Sequence, residues 1–141
     1  MKVVINKCFG GFGISHKAAM RYFEIKGIKV WPEKNEKYLS LNFYTYWTKP
    51  PKERPTGEDN FRTWPVEKRA EYNKAYKEAT ACVWDIGRND PALVQTVEEL
   101  GAEANGEHAR LVVVNIPDGV EWEIDEYDGM ETVQEARERW G

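Results

Sequence analysis

With 41% hydrophobic and 31% charged residues, this 141-residue chain can bury one core and is too apolar to stay disordered. A net charge of −4 and a pI near 5.3 exclude the basic footprint of a duplex nucleic-acid binder, although a small nucleotide needs only a few local cations. No apolar run is long enough to span a membrane and the N-terminus lacks a signal-peptide layout; with only Cys8 and Cys82, no disulfide framework is expected and a cytoplasmic protein is.

The chain opens with a β-branched strand from Lys2 to Lys7, then Phe9-Gly10-Gly11-Phe12-Gly13-Ile14-Ser15, then a helix. Ser15 is a good N-cap for His16 to about Lys26, with Ala19, Tyr22 and Phe23 as the apolar stripe and Gly27 as the stop. Arg21 lies off that stripe, toward solvent or a ligand. Ile28 to Trp31 and Tyr38 to Trp47 read as strands, the second rich in aromatics.

Pro50, Pro51 and Pro55 open a charged excursion over about 48–79, which ends in a feebly amphipathic helix from Val66 to Ala79. Cys82 to Ile86 reads as a short strand. Asp90 caps a helix that begins at Pro91, repeats Leu93, Val94, Val97 and Leu100 at helical spacing, and stops at Gly101. Arg110 to Ile116 and Val120 to Ile124 read as strands flanking the Pro117-Asp118-Gly119 turn. Asp128-Gly129 leads into a last helix on which Val133, Ala136 and Trp140 share a face. The fold expected is α+β: one domain over 1–141, a mostly antiparallel sheet and three to four helices.

Six Trp, seven Tyr and five Phe exceed what a small core needs, so either a bulky core or rings kept for interfaces and ligands accounts for them. Strand, glycine loop and helix N-terminus in that order can set backbone N–H groups against a phosphate. The loop fails as a dinucleotide fingerprint, since His16 stands at the third glycine position, and it lacks the Gly-Lys-Ser/Thr of a P-loop. It reads equally as a plain turn or as a binding loop with Phe12 exposed.

Catalytic chemistry is sparse. His16 and His108 lie far apart in sequence, Ser15 is a cap, and the acidic run Glu121, Glu123, Asp125 shares the solvent face of an alternating strand rather than forming a metal site. Neither a cofactor nor a metal is expected. Arginines near element ends (Arg21, Arg88, Arg110, Arg137 and Arg139) can clamp phosphates, or each can pair with one of the acidic residues.

Several stretches then carry a resemblance: Lys2-Val-Val-Ile-Asn6, Phe9-Gly-Gly-Phe-Gly-Ile-Ser15, Arg88-Asn-Asp-Pro91, Val97-Glu-Glu-Leu-Gly101 and Ala104-Asn-Gly106. Leu111-Val-Val-Val, Ile116-Pro-Asp118 and Trp122-Glu-Ile-Asp-Glu-Tyr-Asp-Gly129 continue it. In order and spacing they resemble the first described family of Thoeris anti-defence proteins, which are phage-encoded sponges. The resemblance covers both ends of the chain, with little of it between Ile28 and Ala81. Gly87 and the Pro-rich insert depart from the family's pattern.

The resemblance implies a non-enzyme that sequesters cyclic ADP-ribose isomers made by bacterial TIR-domain immune enzymes. It further implies a homo-oligomer with pockets at subunit contacts, in the cytoplasm of an infected host. In some members a second site takes cyclic di- or trinucleotides of CBASS immunity. Carried over residue by residue are Gly11, Phe12 and Gly13 of the loop, Arg88 and Asn89 of the box, and Arg110 and Arg139; Arg21 and Asn105 complete the candidate ligand-binding set. Two other functions stay open on the residues alone. One is a nucleotide-processing enzyme, such as a cyclic-nucleotide phosphodiesterase or NAD glycohydrolase. The other is a protein–protein inhibitor of a host factor that works through an aromatic surface.

Overall fold

A computed structural model describes residues 1–34, 44–54, 63–83 and 85–136. The chain is α+β, and every strand pair among the described residues is antiparallel. Its residues group into two compact units, one of Met1–Lys26 with Val83–Gly141 and one of Gly27–Cys82.

In the first unit, β1 (Lys2–Asn6) pairs with β5 (Leu111–Asn115), Val3 lying opposite Val114 and Ile5 opposite Val112. Val3, Val4 and Ile5 are essentially fully buried, as their β-branched run predicts. Helices α1 (His16–Lys26) and α3 (Pro91–Leu100) pack on one another and close the core with Phe23 and Leu93. Each such side chain contributes roughly 1.5–3 kcal/mol by leaving water.

Both helices start where their caps direct. Ser15 Oγ accepts the Ala18 N–H at 3.1 Å and donates to the Glu103 carbonyl at 2.6 Å, which ties α1 to the 3₁₀ turn Gly101–Ala104. Asp90 Oδ1 accepts the Ala92 N–H at 2.8 Å, with Pro91 at the first helical position. Gly101 ends α3 with φ +57°.

A hairpin, β6 (Trp122–Tyr127) and β7 (Met130–Glu135), completes this unit and corrects the expected last helix. Asp128 and Gly129 both adopt positive φ, 52° and 88°, the two left-handed positions of a tight hairpin turn that folds the chain back as a strand. Of the residues assigned to that helix, 137–141 lie outside the described set.

The second unit holds β2 (Trp31–Lys34), β3 (Tyr44–Trp47) and the two-residue β4 (Thr80–Ala81), in that order, with α2 (Val66–Ala79). The strand expected at Cys82–Ile86 is therefore two residues earlier and shorter; Cys82, Val83, Asp85 and Ile86 are not strand. Much of the expected Tyr38–Trp47 strand lies outside the described residues. α2 is exposed along most of its length, as its weak pattern predicts, and buries only Ala79. An edge-on chain of rings holds the unit together, Trp47 to Tyr76 at 5.2 Å and Trp64 to Tyr72 at 5.9 Å, with the Tyr72 and Tyr76 rings 6.2 Å apart. Part of the aromatic surplus is thus spent on internal packing.

Candidate functional site

The end of β1, the glycine loop, the β6–β7 turn and the approach to β5 meet at one junction. At its centre is Asn6, fully buried, whose Nδ2 donates to the Cys8 and Gly129 carbonyls, both at 2.8 Å. Its Oδ1 accepts the Arg110 N–H at 2.9 Å. The Asn6 N–H reaches Glu131 Oε1 at 2.8 Å. Glu131 is only 4% exposed, and Arg88 meets it with two hydrogen bonds of 2.6 and 2.9 Å. The Arg88 guanidinium also lies over the Phe12 ring, 3.5 Å from its centroid. Phe12 is accordingly half-buried rather than exposed.

Glycines are required at this junction by close approach. A Cβ at Gly129 would run into Gly11 N and lie 2.7 Å from Gly10 N, and one at Gly106 would lie 2.7 Å from the Gly13 carbonyl carbon. Gly10 N–H donates to the Asp128 carbonyl at 3.3 Å and Gly106 N–H to the Gly13 carbonyl at 2.9 Å. Asn105 bridges to Ile14 and accepts the Leu111 N–H at 2.8 Å through Oδ1. The loop is a packed turn whose edges are held on both sides.

The structure thus brings together Gly11, Phe12, Gly13, Arg88, Asn105 and Arg110 of the sequence-derived set. Arg21 lies elsewhere, on α1, paired with Glu99 at 2.7 Å and Glu24 at 2.6 Å. The Arg21 hydrogen bonds, with a further one from Gln95, hold the Glu99 carboxyl down to about 2. Asn89 lies beside a groove of about 610 Å³ lined also by Met1, Lys2, Val94, Glu98 and Glu99. That groove suits a phosphate poorly: its lysine is neutralised by Glu98 at 3.0 Å, and two carboxylates line it. Arg139 lies outside the described residues.

What sequence reasoning missed is Lys7. Its N–H donates to the Arg110 carbonyl at 2.8 Å, one rung beyond the β1–β5 ladder, so the two residues face each other across strands. Like charges placed so repel. In this unit every other described lysine and arginine has a carboxylate partner: Lys2 with Glu98, Lys17 with Glu103, Arg21 with Glu99, Lys26 with Asp90 and Arg88 with Glu131. Among the described residues, Lys7 and Arg110 have none.

Two exposed rings lie on the turns that adjoin this pair of cations in the backbone. Phe9 is 57% and Tyr127 79% exposed, and each precedes a partner in the Gly10–Asp128 backbone contact. His108 is exposed beside Gly10: a Cβ at Gly10 would lie 2.8 Å from His108 Cβ. Two cations without carboxylate partners among the described residues, with two exposed rings on the adjoining turns, can hold a phosphate and stack a planar base. Neither ring can be singled out from sequence, because the pairing of β6 with β7 and the contact of their turn with the glycine loop are not local. Compared with protein-family models, characterised proteins and solved structures, the chain matches none.

Proposed function

We propose that this protein binds a cyclic ADP-ribose isomer at the Lys7–Arg110 junction and holds it uncleaved, acting as a phage anti-defence sponge in the cytoplasm of an infected bacterium. The sequence resemblance supplies the ligand class. The observation that carries the reading is the facing of Lys7 and Arg110 without carboxylate partners among the described residues. Their mutual repulsion is relieved when an anion sits between them, so the site gains from a diphosphate what it lacks alone. Phe9 and Tyr127 offer the rings for an adenine. Arg88 has a different part: locked to Glu131, it holds Phe12 and the loop in place.

The test is to incubate the protein with a panel of cyclic ADP-ribose isomers and cyclic di- and trinucleotides, wash, denature by heat and identify what is released. Intact cyclic ADP-ribose isomer supports the proposal. Fragments would make the protein a nucleotide-processing enzyme, and an empty release would overturn nucleotide binding in favour of a protein-directed inhibitor.

A further inference from the structure

We propose that Asn105 is a spontaneous deamidation site that the fold gates, and that its conversion disables the Lys7–Arg110 anion site. The sequence marks the position. Of the eight asparagines, Asn105 alone is followed by glycine. An asparagine cyclises when the backbone nitrogen of the next residue attacks its side-chain carbonyl carbon. Glycine hinders that approach least, since it has no Cβ and the widest range of φ and ψ.

The reaction balances with water alone. The Gly106 nitrogen loses its proton and bonds to Asn105 Cγ, the Cγ–Nδ2 bond breaks, and the amide leaves with that proton as ammonia. Water then opens the resulting succinimide at one of its two carbonyls. One opening restores the normal main chain with an aspartate side chain. The other leaves an isoaspartyl link, with an extra methylene in the main chain. Either product carries one carboxylate more than the parent.

In the folded protein the atoms that must move are held. Gly106 N–H donates to the Gly13 carbonyl at 2.9 Å and Ser15 N–H to the Ala104 carbonyl at 3.0 Å, so backbone bonds flank Asn105 on both sides. Its Oδ1 accepts the Leu111 N–H at 2.8 Å. Its ψ of 131° turns the Gly106 nitrogen away from Cβ, whereas the five-membered ring needs the two nearly eclipsed. Ring closure therefore waits for the Gly13–Gly106 contact to open, a local event short of global unfolding. Asn105 and Gly106 are only half-buried, so water reaches them once they open.

Neither product leaves the junction as it was. A Cβ at Gly106 would lie 2.7 Å from the Gly13 carbonyl carbon, so there is no space for an inserted methylene and the isoaspartyl form must part the two segments. The aspartyl form keeps the Leu111 N–H contact and sets a negative charge against the Arg110–Leu111 peptide, beside a cation whose lack of such a partner defines the site. This consequence rests on the anion-binding reading; the gated chemistry does not.

The test incubates the parent protein in mildly alkaline buffer, folded and in urea, and follows every asparagine by peptide mapping and mass spectrometry. Asn105 should convert before any other, at least about tenfold more slowly folded than in urea. Sub-denaturing urea should quicken it in step with hydrogen exchange of the Gly106 amide, since both need the same opening. The converted protein, separated by ion exchange, should bind inorganic pyrophosphate at least about tenfold more weakly than the parent. Equal rates folded and in urea, an intact Asn105 in folded protein whose Gly106 amide exchanges, or another asparagine converting first would overturn the gated site. Equal pyrophosphate affinity before and after conversion would overturn its consequence. A parent protein that binds no pyrophosphate would instead overturn the anion site, with the mass measurements still deciding the deamidation.

Discussion

Arg88 and Arg110 are both arginines near strand ends, and their surroundings give them opposite parts. Arg88 faces a carboxylate that is almost wholly buried, so removing it strands the Glu131 charge with the Asn6 N–H beside it. Losing one partner of a buried pair costs about 3–5 kcal/mol. Arg88→Ala should therefore lower the melting temperature sharply, and any loss of binding should follow the loss of fold. Lys7→Ala and Arg110→Ala should do the reverse. Each removes one of two repelling charges, so the melting temperature should stay level or rise slightly. A hydrogen bond to a charged group is worth about 1.5–3 kcal/mol, so ligand affinity should fall by about one to two decades.

Asp90 is the residue whose titration bears on stability. Burial pushes its carboxyl up, but hydrogen bonds from Lys26, Tyr22 and the Ala92 N–H outweigh this and hold it below its ordinary 3.8. Its contribution is therefore complete above the unfolded value and is lost as pH falls through the lower folded value. Asp90→Ala should cost about 1–2 kcal/mol as a lost cap and acceptor. Asp90→Asn should lose less stability than the parent protein on acidification below about pH 4, measured by denaturant melts across pH.

At the scale of elements, what could be read in the sequence was whatever local chemistry decides. Ser15 and Asp90 with Pro91 mark helix starts through side-chain and φ constraints that act within three residues. The buried β1 run was legible because Val3, Val4 and Ile5 are β-branched and uncharged. The last segment failed for a physical reason: Asp128-Gly129 is a hairpin signal, but Val133 and Ala136 also fit a helical spacing, and the pairing to β6 that decides between them is not local. With that hairpin went Glu131, an acidic residue whose burial depends on Arg88 forty-three positions away. The candidate site was half legible for the same reason. The loop and Arg110 were visible as residue types, whereas Lys7, Phe9 and Tyr127 acquire meaning only once strand ends are juxtaposed. Gly129→Ala tests the hairpin directly. With φ +88° and Gly10 and Gly11 nitrogens in the way of a Cβ, it should destabilise by more than the ~1 kcal/mol expected from backbone conformation alone, seen in thermal melts.

For the whole molecule, a net charge of −4 means that cation placement is economical. Nearly every described cation of the first unit neutralises a nearby carboxylate, and the exceptions converge. Binding there should weaken as salt rises, because an exposed pair of cations is screened within about 8 Å at physiological ionic strength.

The most direct test of the central claim is calorimetric titration of a cyclic ADP-ribose isomer into the parent protein, the Lys7→Ala, Arg110→Ala double variant and an Arg21→Ala control, with the titrated ligand recovered afterwards by chromatography. Tight binding by the parent and the control, binding lost in the double variant, and intact ligand on recovery are the predicted result. Equal binding by the double variant and the parent, or a cleaved ligand, would contradict it.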